Sequence, residues 1–131
     1  MCGIFGWVSF DTALSYENID AARVSVRSME HRGPDNQGEW LDPNVYMGHR
    51  RLSIIDLSAD AHQPFMSVDE RHILSFNGAI YNYVELREAL KHQGVVFKSV
   101  SDTETMLAAL ATWGYDVPLP LTIARDLQKP I

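Results

Sequence analysis

The chain has 131 residues, 46% hydrophobic and 21% charged, with a formal net charge of −6. That length suits one domain around one core, with a radius of gyration of about 14 Å, and the hydrophobic content excludes a disordered polar chain. The excess of acid argues against a nucleic-acid binder, the single cysteine excludes an intrachain disulfide, and no apolar run is long enough to span a bilayer.

Taken in chain order, Cys2 to Phe10 reads as a buried strand rich in Ile, Phe, Trp and Val. It has no basic leader and is interrupted by Gly3 and Gly6, so no secretory signal is expected and the expected location is cytoplasmic. Ile19, Ala22, Val26 and Met29 recur at steps of three and four and predict a helix starting near Ser15 or Asn18. His31 to Gly38 is rich in turn residues and predicts a tight loop. Val45 to His49 and Arg51 to Ile55 predict two neighbouring strands, followed by a polar loop from Asp56 to Pro64. Ile73 to Phe76 predicts a short strand stopped by Asn77-Gly78.

Asn82 and Glu85 carry capping-box spacing for a helix to Gln93, with Leu86 and Leu90 facing the core and Gly94 at its end. Val95 to Val100 predicts a strand. Ser101 and Glu104 repeat the capping spacing for a helix bearing Met106, Leu107, Leu110 and Trp113 and stopped by Gly114. Beyond it Pro118 and Pro120 break regular structure, and Leu121 to Ala124 is a candidate strand. The pattern is α+β or layered α/β, with several antiparallel strands and three helices.

Cys2 is the most informative residue. Removal of Met1 would leave one residue carrying both a thiol and a free α-amine. Such groups titrate within about half a unit of each other, so the amine can act as base for its own side chain. Asn77-Gly78 reads as a hairpin turn or as an oxyanion hole, an Asn amide and a Gly N–H aimed at a developing negative oxygen. Arg51 and Asp102 supply one cation and one anion, the pair that a free amino acid requires. Arg51 begins an apolar strand, and Asp102 falls in the first turn of a helix whose dipole favours its charge. A solvated strand-end charge and a helix-start preference are the alternatives. The five histidines show no metal-ligand spacing, no phosphate-cradling glycine motif occurs, and Arg23, Arg27 and Arg32 read as a solvated face.

Six motifs occur in one order: Met1-Cys2-Gly3-Ile4-Phe5-Gly6, His31-Arg32-Gly33-Pro34-Asp35, the run from Gly48 to Asp56, Gln63-Pro64, the run from Phe76 to Asn82, and Ser101-Asp102-Thr103-Glu104. Together they resemble the class II glutamine amidotransferase domain, the N-terminal glutaminase half of glutamine-hydrolysing asparagine synthetases. The resemblance covers residues 1–131 as one domain, strongest over 1–113 and departing at 115–131.

It implies an N-terminal-nucleophile sandwich of two antiparallel sheets between helix layers, with Cys2 attacking the side-chain amide of glutamine. Asn77 and Gly78 match oxyanion donors. Arg51, helped by backbone groups around Ile54 and Ile55, matches the holder of the α-carboxylate, and Asp102 the anchor of the α-ammonium. Arg32 and Gly33 match a loop bordering the pocket. The implied cycle is a glutamyl thioester, release of ammonia, and hydrolysis to glutamate. No cofactor or metal is implied within this chain; ATP and magnesium belong to the synthetase domain that receives the ammonia.

Two departures accompany the match. The family often carries Glu after the Asn-Gly pair, where it helps to hold the ammonium; here Ala79 stands there. After Gly114 the sequence passes from Val117–Pro120 almost directly into Leu121-Thr122-Ile123-Ala124-Arg125-Asp126. One family strand and its turn, roughly six to ten residues, are missing between them, which leaves a sheet edge open and the sandwich incomplete at its C-terminal end. Two functions are therefore expected in competition. One is an active glutaminase, acting with a synthetase domain, a separate chain or a homodimer. The other is a silent, truncated interaction subunit that docks on a separate synthetase chain.

Overall fold

The computed structural model describes residues 2–53, 61–114 and 123–124. The elements run β1 (Gly3–Val8), α1 (Tyr16–Ser28), β2 (Asn36–Asp42), β3 (Val45–Arg51), β4 (Phe65–Met66), β5 (Ile73–Leu74), β6 (Ala79–Ile80), α2 (Tyr83–His92), α3 (Asp102–Trp113) and β7 (Ile123–Ala124). Among the described residues all strand pairings are antiparallel and there are three α-helices, an α+β fold consistent with the expected sandwich.

The first sheet has the order β1-β3-β2. β1 pairs with β3 from Gly3↔Arg50 to Val8↔Val45, and β2 pairs with β3 from Asn36↔Arg51 to Asp42↔Val45. Side chains alternate across a strand, so the two faces of this sheet have different neighbours. One face meets α1: a side chain at Gly48 would run into Val26, and Tyr46, Ala22 and Val26 are fully buried together. Phe5, Trp7, Leu14, Ile19 and Met29 surround them, and the Phe5 and Tyr46 rings meet edge to face at 6.1 Å. The opposite face carries Ile4 and Val8, both exposed, with His49 and Arg51 toward its end.

α1 begins where a reciprocal cap can form. Ser15 Oγ accepts from the Asn18 backbone at 3.2 Å, and Asn18 Oδ1 accepts from the Ser15 backbone at 3.0 Å, so both expected start residues share one capping box. α3 starts on Ser101, whose hydroxyl accepts from Glu104 N at 3.1 Å. α2 packs along α3, with Leu86, Leu90, Leu107 and Ala109 buried.

Several expectations are corrected. Asn36 to Gly38 belongs to β2, not to a loop; its polar side chains bond across the sheet instead of burying apolar surface. Arg51 ends β3, and Leu52 and Ser53 after it are in no strand, while Ile54 and Ile55 lie outside the described residues. Residues 95–100 form no strand, because the N–H groups of Lys98 and Ser99 go to the Glu104 carboxylate at 2.8 and 2.7 Å rather than to a neighbouring chain. Asn82 gives α2 no side-chain cap. Asn77-Gly78 joins no hairpin, since β5 pairs with β4 and β6 pairs with β7.

Candidate active site

The antiparallel register that pairs Gly3 with Arg50 sets Cys2 beside the exit of β3. There the thiol lies against the backbone of the residue that follows β3: Leu52 N donates to Cys2 Sγ at 3.4 Å, and Sγ is 3.7 Å from Leu52 O. Alternation puts Cys2 on the same face of the sheet as His49 and Arg51, away from α1. The nucleophile candidate therefore rides on the most extensively paired part of the fold.

Asn77 reaches the same place from 75 residues away. Its Oδ1 accepts from Cys2 N at 3.3 Å, which commits the oxygen and leaves Nδ2 as the donor end of the amide. Asn77 and Gly78 are both exposed, open to an incoming molecule. Ala79 follows on β6 and pairs with Ala124.

The loop that precedes β2 closes over the end of β3. A side chain at Gly33 would collide with the Arg50 carbonyl and the Arg51 nitrogen, so only glycine lets the backbones approach this closely. Arg32 Nε donates to Cys2 O at 3.4 Å. Asp35 N donates to Arg51 O at 3.1 Å, and Asp35 Oδ2 accepts from Ser53 N at 2.7 Å. Arg51 is thus bracketed by its own loop, and its side chain is buried, as is Asp102. Asp102 opens α3, and its Oδ2 accepts from Ile80 N at 3.1 Å. That bond fastens the start of α3 two residues beyond Gly78.

The structure thus joins Cys2, Asn77, Arg32 and Leu52 directly, and ties Asp102 to the strand that follows Gly78. Ile54 and Ile55 lie outside the described residues. Among the described residues no three His, Cys, Asp or Glu side chains converge as metal ligands, and no helix is long and apolar enough to cross a membrane.

Sequence reasoning missed three supporting residues, all within motifs it had noted. Asp35 clamps Ser53. His49 Nδ1 lies 2.7 Å from Ser75 Oγ; burial, with the Arg51 charge adding to it, pushes its imidazole down to about 4. Gln63 bonds both to Phe76, just before Asn77, and to Thr103.

This arrangement offers a thiol, an amide donor beside it, and a buried cation and anion nearby, a set suited to attack on the amide of an amino acid. Residues 1–121 match the family model described as a glutamine amidotransferase domain. Asparagine synthetase [glutamine-hydrolyzing] 1 of Bacillus subtilis is 41% identical over 109 residues, which are 82% of this chain and 17% of that protein. Asparagine synthetase B [glutamine-hydrolyzing] of Escherichia coli is 39% identical over 108 residues, 82% of this chain and 19% of that protein. An Arabidopsis thaliana asparagine synthetase of the same description is 33% identical over 116 residues, 88% and 19% respectively. The chain spans less than a fifth of the length of these relatives. With its match to the family model running almost end to end, the chain belongs to the glutamine amidotransferase domain family.

Proposed function

We propose that this chain hydrolyses the side-chain amide of glutamine through a thioester on Cys2 and supplies the ammonia to asparagine synthesis or related amide synthesis in a synthetase domain or a separate synthetase chain. Removal of Met1 frees the α-amine, which takes the thiol proton as the sulfur attacks the amide carbon. The tetrahedral oxyanion is held by Asn77 Nδ2 and the Gly78 N–H. Its collapse expels ammonia, with the proton returned by the amine. The amine then activates a water that cleaves the thioester, leaving glutamate and the free thiol.

Arg51 is assigned to the glutamine α-carboxylate, where a guanidinium can form two parallel bonds. Asp102 is assigned to the α-ammonium. With Ala79 in place of a second carboxylate, Asp102 carries that recognition, and Arg32 and Gly33 border the pocket.

The observation that carries the reading is the bond from Cys2 N to Asn77 Oδ1. It supports the reading because Cys2 N, the atom that becomes the α-amine once Met1 is removed, meets the Asn77 amide on the residue that carries the thiol. The test is the mass of the purified protein combined with labelling by a glutamine-analogue electrophile. The expected result is a chain beginning at Cys2 that takes one label on that residue and is protected by glutamine. Retained Met1, or labelling elsewhere, would overturn the reading.

A further inference from the structure

Gln63 is buried at 8% exposure, yet both ends of its amide are occupied by parts of the chain far apart in sequence. Its Oε1 accepts from Phe76 N at 2.6 Å, and its Nε2 donates to Thr103 Oγ1 at 3.2 Å. Phe76 precedes Asn77, and Thr103 follows Asp102. One side chain therefore spans from the neighbour of the oxyanion donors to the neighbour of the ammonium anchor. Asn77 itself lies between β5 and β6, outside any strand, so no ladder fixes it.

The base of this connection is also fixed. A side chain at Gly38 of β2 would overlap the Gln63 carbonyl, so the Gln63 backbone rests directly on the sheet whose other edge strand is led by Cys2. Sheet, donor segment and α3 meet at this residue.

From this geometry we infer that Gln63 is a positioning residue that holds Asn77 and Gly78 in register with Asp102; the inference rests on the glutaminase reading above. A glutamine molecule gripped at its ammonium by Asp102 would present its amide to donors whose distance from that anchor Gln63 sets. Misplacement of reacting groups by about 1 Å can cost a hundredfold in rate, so loosening this connection affects turnover more than it affects folding.

The test is steady-state glutamate release by the 131-residue chain, with melting temperature measured in parallel. Gln63→Met keeps the approximate shape and loses both bonds; kcat is expected to fall about ten- to a hundredfold. Thr103→Val cuts only the arm toward α3 and is expected to raise KM for glutamine several-fold, while Thr103→Ser, which keeps the hydroxyl, restores it. If Gln63→Met fails to fold, the Thr103 pair still decides. Lowered melting temperatures with kcat and KM within twofold of the wild type would overturn the inference alone. A folded wild type that releases no glutamate would overturn it together with the reading it rests on.

Discussion

Between Gly3 and Val8 every residue has a partner on β3, and β3 is paired again on its other side; between Ala61 and Ile80 no strand exceeds two residues. The first region is held by backbone ladders, which leave its side chains free to bury against α1. The second is held by its side chains. Ser67 Oγ donates to Asp69 Oδ1 at 2.5 Å and accepts from His72 N at 3.0 Å, while His49 and Gln63 fix Ser75 and Phe76. The candidate nucleophile is on the laddered region and the oxyanion donors are on the tied one. Where ladders are short, buried N–H groups still need partners, and side-chain oxygens supply them here.

The comparison is sharpened most by removing the chemistry while leaving the ladder intact. Cys2→Ala should abolish glutamate release, a loss of at least about a thousandfold, with the far-ultraviolet circular dichroism spectrum unchanged. Asn77→Ala acts from the tied region: kcat should fall about a hundred- to a thousandfold, with a smaller change in KM, read by the same assay.

A pH titration addresses the tie itself. Burial favours the neutral His49 ring, its pKa lying near 4 against an ordinary value near 6.5. Its contribution is therefore fully present above about pH 6.5 and is lost as pH falls toward 4, by roughly 3 kcal/mol at the low end of that window. His49→Gln should flatten stability against pH over this range, measured by urea unfolding at stepped pH. A slope equal to that of the wild type would show that the ring does not carry the acid sensitivity.

The smallest effects compare the two helix caps. Ser15→Ala, on the laddered side, should cost about 1 kcal/mol, the usual value for a lost cap. Ser101→Ala should cost up to about 2 kcal/mol, because its hydroxyl also lies 3.0 Å from the buried Ser99 Oγ. Equal losses in denaturant melts would show that the serine pair adds nothing to the cap.

The laddered half was the more legible in the sequence. α1 follows from its apolar spacing and its Ser15–Asn18 signal, and β1 from its dense Ile, Phe and Trp content. β2 escaped because its positions on the α1 side of the sheet are polar: Gln37 bonds to Arg50 at 3.0 Å, and Glu39 pairs with Arg23 at 2.7 Å and with the Tyr46 hydroxyl at 3.2 Å. Hydrogen bonding to Arg23 first, and the charge of that guanidinium, hold the Glu39 carboxyl below its usual range, so this position is specified by charge rather than by hydrophobicity.

The tied half misled in the opposite way. Val95 to Val100 has the Val and Phe content of a strand, yet the Glu104 carboxylate takes the N–H groups of Lys98 and Ser99 and no ladder forms. Asn77-Gly78, taken alone, reads first as a turn. Only its distant contact with Cys2 separates the two meanings, and local pattern holds no information on a pairing across 75 residues. Of the residues named from the motifs, Asn77 and Arg32 bond to Cys2, and Asp102 bonds to Ile80 just beyond Gly78; the supporting Gln63, His49 and Asp35 have no spacing rule that would announce them.

The alternation along β1 and β3 has a consequence for how such a sequence can change. Gly3 faces Met29 of the α1 layer while its neighbours Cys2 and Ile4 face away, and Arg50, bonded to Gln37, is followed by Arg51 on the other side. Packing positions and site positions thus alternate residue by residue. Gain or loss of a single residue in either strand would exchange the two sets, turning the thiol toward the helix and the aromatic rings outward. Point substitutions remain open to these strands, but length variation does not; the hairpin from Ser67 to His72, whose local bonds close on themselves, is where insertions and deletions can accumulate without moving the site.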